Sequence, residues 1–599
     1  MTALHRLKIF LGLVFILTSV QQGIAADHHV TDCDQFQIAL SAAASNSDND
    51  TIYLAPGIYK CAATCFPVND YAITITTEPG TNPGQVILDG NSRTNQVLRI
   101  SATGHAPDIT IKNIVVQAST GSASYFGALY ISTGGKVTLE NCTITECAYM
   151  GLYIYGGTEI SLKNNNFTAN TSPQHGGGLY INQCTTVTLE NNYISGNQAN
   201  NPGSGVYIAN CTNVTVNANT ITKNTGTSGL YIDRTSYHGG AFVVTDNDIS
   251  YNTANSSNNG GGLNINCHGY QIPVTVTGNT ISNNSGASAG GLQIYEAVRD
   301  TNISDNRITD NTAASYDYGG FLLYHSSAGT GTVLCHNNII TGNLAKRNYG
   351  GGYLSCEKVT IIATNNIIAH NTTQGIPSGD TYVGGLAAYA PSLYLINNTV
   401  YGNSVVGYGG GVTIWSTTNH EAYLYNNTIW GNTATTDGDD IYLSNAGLVR
   451  EAKNNNFHKK YGTWTTAENN IDVDPLFVDP ARRDYHLGTG SLCLDAGGDY
   501  SASHMPDKDL DGNNRPDGAT AVDIGAYEHS TSEYHPADTS DPRWTLSQAE
   551  FDAYAADWKS GAQPHPIDFV TRAGYLLKSN SGVYKNVGGG KPLCWVPGP

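Results

Sequence analysis

The stretch GGGLYINQCTTVTLENNYISGN, Gly176 to Asn197, decides the fold. Leu179-Tyr180-Ile181 and Val187-Thr188-Leu189 alternate apolar and polar side chains, and Tyr193-Ile194-Ser195 does the same over a shorter run. Alternation at period two is the pattern of half-buried strands. Gly or Asn separates the three strands, and both residues accept the backbone conformations of tight turns. The next stretch, GSGVYIANCTNVTVNANTITKN from Gly203 to Asn224, repeats the plan. Its closing motif, Asn-x-Ile-x-x-Asn and close variants, occurs ten times, with the second Asn at 170, 197, 224, 252, 284, 311, 343, 371, 403 and 432.

Steps of 27 to 32 residues leave no room for a crossover helix between strands. The period-two pattern also excludes helical repeats such as tetratricopeptides. One closed solution remains: each unit is a coil of a parallel β-helix, and each strand stacks on its counterpart at about 4.8 Å. The column Ile194, Ile221, Ile249, Ile281, Ile308, Ile340, Ile368, Val400 and Ile429 then points inward, flanked by Phe167 and Phe457. The first Asn of each motif, as in Asn192, Asn219 and Asn247, is expected at a left-handed corner, hydrogen-bonded to the Asn above and below.

Composition agrees with so many turns. The chain has 599 residues with 67 Gly, and only 13% are charged. Asn numbers about 60, far above ordinary usage. An apolar share of 40% suffices for a core and argues against a disordered chain. The net charge of −19 disfavours nucleic acid and anionic membranes and leaves cations or neutral polymers as easier partners.

Arg6 and Lys8, the apolar run Ile9 to Val20 and the small residues Gly23-Ile24-Ala25 read as an export signal over residues 1–25. An uncleaved anchor is the alternative; no later run has membrane-spanning length. Residues 26–56 form an N-terminal cap with a short amphipathic helix over Asp34 to Ala44, and the β-helix occupies 57–529. Residues 530–599 form a small α-rich module in which Ser547 and Glu550 make a capping box, and Phe551, Tyr554, Ala555 and Trp558 give an apolar face. The expected fold is thus all-β, a right-handed parallel β-helix solenoid with a helical N-terminal cap and a helical C-terminal module. Twelve Cys in an exported chain permit disulfides, and Cys184 and Cys211 occupy equivalent places in adjacent coils.

On these repeats the chain resembles the right-handed β-helix proteins of the pectin-lyase-like superfamily, and its G-G-x-L-x-I and F/I-x-x-N pattern is similar to polymorphic outer-membrane protein repeats. DPLFVDP, LDAG, LDGNNRP and DIGAYE, between Asp474 and Glu528, resemble the terminal segment of choice-of-anchor β-helix surface proteins. The resemblance implies the fold and an exported location; a reaction has to be argued from the site. Polygalacturonase-like hydrolases of that superfamily carry paired carboxylates with G-H-G and R-I-K segments. Asp439-Asp440 occurs here without a following G-H-G. Pectate-lyase-like elimination needs a calcium-binding Asp cluster and an Arg base, and the regular coils place Tyr, Asn, Gln or Thr there instead.

Four candidate sites follow from the residues. Tyr130, Tyr153, Tyr180, Tyr207 and Tyr231 fall at one outward position of successive coils, which predicts a flat aromatic stripe for glycan rings. Farther on, the same position is read as Asn264, Gln293, Leu323 and Thr413, ending the stripe. Asp233, Arg234, His268, Glu296, Arg299, Asp300, His325, Glu357 and Lys358 line up as a solvated charged edge or, alternatively, an active site. Asp507, Asp509 and Asp511 before Gly512 form the front half of an EF-hand-type loop for structural calcium, although its twelfth position is Gly518. Asp538, Ser540 and Glu550 resemble a second such loop, interrupted by Pro542. The expectation is a secreted or cell-surface protein with a glycan-binding, adhesive or structural role, whose partner is a polysaccharide or cell-surface glycan and which requires no cofactor. The alternative is a polysaccharide lyase or glycoside hydrolase.

Overall fold

The computed structural model describes residues 25–529 apart from 46–48, 61–70, 91–95, 103–104, 120–126, 236–238, 256–259, 298, 316, 326–328, 376–382, 416–419, 445–448, 489 and 517–520. It further describes 537, 546–560, 567–579, 584–586, 592 and 595–597. Residues 1–24 of the proposed export signal, Gly518, Asp538, Ser540 and Pro542 lie outside these residues.

Ten coils have a fourth strand, one more than the alternation shows. In one coil the four are Leu179–Asn182, Thr186–Glu190, Tyr193–Ser195 and Gln198–Ala199. The last is a two-residue strand, too short to show a period. Stacking of coils gives four parallel sheets. Sheet A, with 17 strands, contains Thr186–Glu190; sheet B, with 15, contains Tyr193–Ser195; sheet C, with 14, contains Leu179–Asn182; and sheet D, with 10, contains Gln198–Ala199. Leu, Ile and Val from sheets A, B and C fill one continuous core running from Val30 to Ala452. The inward Ile column holds: Ile194, Ile221, Ile249 and Ile281 are wholly buried.

Two files of Asn run through the corners. In the first, Asn165, Asn192, Asn219, Asn247 and their successors each donate Nδ2 to the Oδ1 of the next, at 2.9–3.0 Å. The file continues to Asn470. The backbone N–H of Asn192 donates to the same Oδ1 of Asn219 at 2.9 Å, and its Nδ2 also reaches the Leu162 carbonyl at 2.8 Å. The second file runs from Asn170 through Asn197 and Asn224 to Asn432. A buried amide is tolerated because its donors and acceptor are all used.

These Asn are not the left-handed residues expected from sequence. The positive φ falls one residue earlier, at Asn191 (54°) and Ala218 (53°), so the ladder Asn turns inward with ordinary geometry. Glycine has a related task before sheet C. A Cβ on Gly178 would lie 2.6 Å from the Gly205 carbonyl oxygen and 3.1 Å from Asn197 Nδ2. The G-G-x-L motif therefore keeps space for the neighbouring ladder.

Helix α1, Cys33–Ala43, starts at Asp32, whose side chain accepts the Gln35 N–H, and buries Phe36, Ala39 and Leu40 against the first coil. The opposite end departs from expectation. Regular coils stop near Glu468, and 471–529 is a strap rather than a further coil. It folds back along the outside of sheets A and B. Asn365, Asn397, Asn426 and Asn454, the left-handed residues of four successive coils, donate Nδ2 to carbonyls of Lys508, Asp523, Gly498 and Ala496. Arg483 reaches Asp310 with contacts of 2.8 and 3.3 Å. Beneath, Ala526 and Tyr485 pack on Ile367 and Ala369. Arg515 and Glu528 form a buried ion pair inside the strap, and Arg515 also donates to Asn365 Oδ1 at 3.2 Å. Arg515 works in both directions because its planar fork serves several acceptors.

Helices α2 (Gln548–Ser560) and α3 (Ile567–Ser579) have their own small core of Leu546, Tyr554, Phe569, Ala573, Leu576 and Trp595. The capping box is present, with Ser547 N donating to Glu550 Oε2 at 2.9 Å and Glu550 N to Ser547 Oγ at 3.2 Å. Among the described residues no helix is long and apolar enough to cross a membrane.

Candidate functional site

The strand register puts Arg99, Tyr130, Tyr153, Tyr180, Tyr207, Tyr231, Asn264, Gln293 and Leu322 in one outward column of sheet C. The five tyrosines are therefore collinear, as the repeat predicts. Leu323, assigned to this column from sequence, points into the core instead. The column also becomes aromatic again at Tyr353, Tyr442 and Tyr461.

The rings do not lie flat. Tyr153, Tyr180 and Tyr207 stack face to face with centroids 4.8 and 4.9 Å apart, and Tyr130 and Tyr231 meet the ends of the stack edge-on. Residues in register one strand apart have this spacing, so parallel rings cover one another's faces. The middle three are buried, and the stripe presents mainly edges.

Polar groups gather where the stack ends. Tyr207 OH donates to Asp233 Oδ2 at 3.1 Å, and Asp233 Oδ1 contacts His268 Nε2 at 2.8 Å. The His175 ring stacks on Tyr207 at 4.9 Å. Burial lowers the His175 pKa, favouring the neutral ring, and pushes the Tyr231 hydroxyl up to about 12. The charged strip divides here. Asp233 and His268 face outward, whereas Arg234 and His325 turn into the corner between sheets C and A and are wholly buried. Arg234 donates to the carbonyls of Thr212 and Gly239, and His325 Nε2 contacts the Arg299 carbonyl at 3.1 Å. The solvated-edge reading is thus wrong for these two residues: the corner bends their side chains inward, where carbonyls receive them.

A second outward column runs beside the first: Asp233, Asn266, Tyr295, Tyr324, Ser355, Tyr389 and Trp415. Tyr295 and Tyr324 stack at 5.1 Å, and Tyr295 is 38% exposed. Nearby, Tyr318, Tyr349 and Tyr353 stack nearly parallel, and Trp415 meets the last two edge-on. Sequence reading missed this group because its rings come from two columns and the adjoining turns. Between the two aromatic regions lie Asn264 and Gln293, both over nine-tenths buried. Their side-chain oxygens have no hydrogen-bond partner in the protein.

The acidic candidates are placed differently. Asp509 is buried, taking Asn513 N on Oδ1 at 2.7 Å and Glu528 N on Oδ2 at 2.8 Å. Asp511 Oδ2 contacts His486 at 2.9 Å, and Asp507 is exposed. The loop does not bring the three carboxylates together, and among the described residues no three His, Cys, Asp or Glu converge on a metal position. Asp439 accepts Ala434 N and pairs with Lys459, while Asp440 joins the second Asn file, so this carboxylate pair is structural. Cys184 and Cys211 are both free and buried, in contact through Cys184 N and Cys211 Sγ at 3.4 Å. Cys493 is free as well.

Residues 97–287 and 255–433 match the model of a family described as the right handed beta helix region. The chain belongs to that family. No curated protein matches this β-helix. Among solved structures it is similar to XylC in complex with xylose, at 9% identity and a TM-score of 0.34, covering 84% of this chain and 98% of that one. Pectate lyase Pel9A gives 13% identity and a TM-score of 0.23, with coverage of 84% and 97%. A PL6 family polysaccharide lyase from Pseudopedobacter saltans gives 9% and 0.19, with coverage of 76% and 94%. These likenesses concern the fold alone.

Proposed function

We propose that this β-helix is an exported or cell-surface protein that binds glycans without cleaving them, in an adhesive or structural role. The N-terminal apolar run with its small-residue end supports export. The observation that carries glycan binding is the outer face of sheet C. There the Tyr130–Tyr231 stack forms a rigid wall, and the exposed rings of Tyr155 and Tyr295 stand beside amide side chains. Aromatic surface next to amides suits sugar rings, which are apolar on their C–H faces and polar at their rims. A glycan array probed with the chain lacking residues 1–25 tests this, with a Tyr295→Ala/Tyr324→Ala variant as comparison. Retention of one or more glycans, weakened at least tenfold in the variant, is expected; absence of any retention overturns the proposal.

The second reading, glycan cleavage, draws support from the Tyr207–Asp233–His268 contacts, in which a carboxylate positions an exposed imidazole. Release of reducing ends or unsaturated products, lost in His268→Ala, would favour it over binding alone.

A further inference from the structure

From Arg99 to Trp415 the two outward columns of sheet C carry a single cationic side chain, Arg99, and it stands over the Tyr130 ring at 5.1 Å. Their one carboxylate is Asp233. A polymer with a carboxylate on every sugar would meet one compensating charge on these columns, at their N-terminal end, and a chain of net charge −19 repels it at longer range. Specificity often rests on such rejection as much as on attraction.

The same columns contain an unfilled requirement. Asn264 is 2% exposed and Gln293 8%, and neither Asn264 Oδ1 nor Gln293 Oε1 has a partner. A buried acceptor without a donor is costly and calls for an O–H or N–H from outside the protein. The two residues are register partners on adjacent strands, whose backbones lie about 4.8 Å apart. Asn266, His268 and Tyr295 border the position at the surface.

We propose that Asn264 and Gln293 form the central subsite of a face that takes neutral, hydroxyl-rich glycans and rejects polyuronates. This rests on the glycan-binding reading above and adds the substrate class and the residues that select it. Uncharged sugar hydroxyls donate to the two amide oxygens, and the neighbouring rings cover the C–H faces. Asp233 contributes the repulsion.

The test is titration of the full chain, freed of residues 1–25, with neutral polymers (β-glucan, mannan, galactan) and acidic ones (polygalacturonate, alginate) at physiological salt. Expected is binding of at least one neutral polymer, at least tenfold tighter than either polyuronate. Asn264→Ala/Gln293→Ala is expected to weaken the neutral ligand tenfold or more with its melting curve intact. Asp233→Asn, a separate variant independent of that fold control, is expected to narrow the gap between neutral and acidic polymers. Tighter binding of a polyuronate overturns the proposal. So does neutral binding unchanged in the double variant, an outcome that leaves the glycan reading standing. Failure to bind any glycan removes that reading itself.

Discussion

Asn432 donates both its backbone N–H and its side-chain amide to one oxygen of Asp440, at 3.2 and 3.0 Å. The other carboxylate oxygen accepts the N–H groups of His458 and Lys459, at 2.9 and 3.2 Å. The Asn file therefore ends at a residue that only accepts, with donors approaching from both sides.

Asp440→Asn looks conservative within a ladder of Asn, yet it is expected to destabilise. Its NH2 would face either the Asn432 donors or the two backbone N–H groups. The cost should be about 1–3 kcal/mol, read as a lower urea midpoint with an unchanged slope. A midpoint equal to that of the wild type refutes the acceptor-only account.

Gly205→Ala tests the space held for the second file. A Cβ there would be 2.6 Å from the Gly229 carbonyl oxygen and 2.9 Å from Asn224 Nδ2. Overpacking of this kind costs roughly 1–3 kcal/mol. The melting temperature should fall clearly, whereas alanine at the open, solvent-facing Gly57 should cost less.

Tyr180→Ala removes the ring between Tyr153 and Tyr207. Because the ring is buried in the stack, stability should fall by about 3 kcal/mol or more, whether or not a glycan is present. A variant as stable as the wild type would show that the stack exists for a ligand rather than for the fold.

His486 makes the strap sensitive to alkali. Burial opposes a charged ring, but the hydrogen bonds it donates to Asp484 at 2.7 Å and Asp511 at 2.9 Å outweigh it and push the pKa up to about 9. A pKa raised in the folded state contributes stability that is complete below the unfolded value near 6.5 and is lost as pH rises through about 9. The difference in stability between wild type and His486→Gln should therefore shrink by about 3 kcal/mol from pH 6 to pH 10. Parallel pH curves for the two proteins would reject this.

Most of the solenoid was legible because its determinants are local and repeated. Period-two runs, inward Ile residues and recurrent Asn return in coil after coil, and stacking places equals on equals. What was hidden involves partners far apart in sequence. The strap contacts link Asn365 to Lys508 and Asn426 to Gly498, and no repeat announces them. Asn doublets at 365–366, 397–398, 426–427 and 454–455 supply the strap's donors, but the same doublet at 164–165, 191–192 and 337–338 makes no strap contact, so it does not mark the covered coils. The buried turn of Arg234 and His325 had no such signal, since a strand end that bends inward has the same letters as one that does not. The Tyr column was found, but its face-to-face stacking follows from ring orientation, which alternation does not encode. Part of the net charge of −19 finds its use in the strap, where Asp484, Asp509, Asp511 and Asp523 accept hydrogen bonds that hold it closed.

The Asn files give the molecule the logic of a polymer with chemically distinct ends. Every internal Asn is at once donor and acceptor, so one coil fits on any other. Cys142 and Cys147 only offer their N–H groups to Asn165 and Asn170 at the starting side, and Asp440 terminates the second file. Between the starting side and the first strap contact at Asp310, a whole coil could be duplicated or deleted with no donor or acceptor of the files left over. Length is therefore free to vary in steps of one repeat, while a shift of a single residue would strand both files at once.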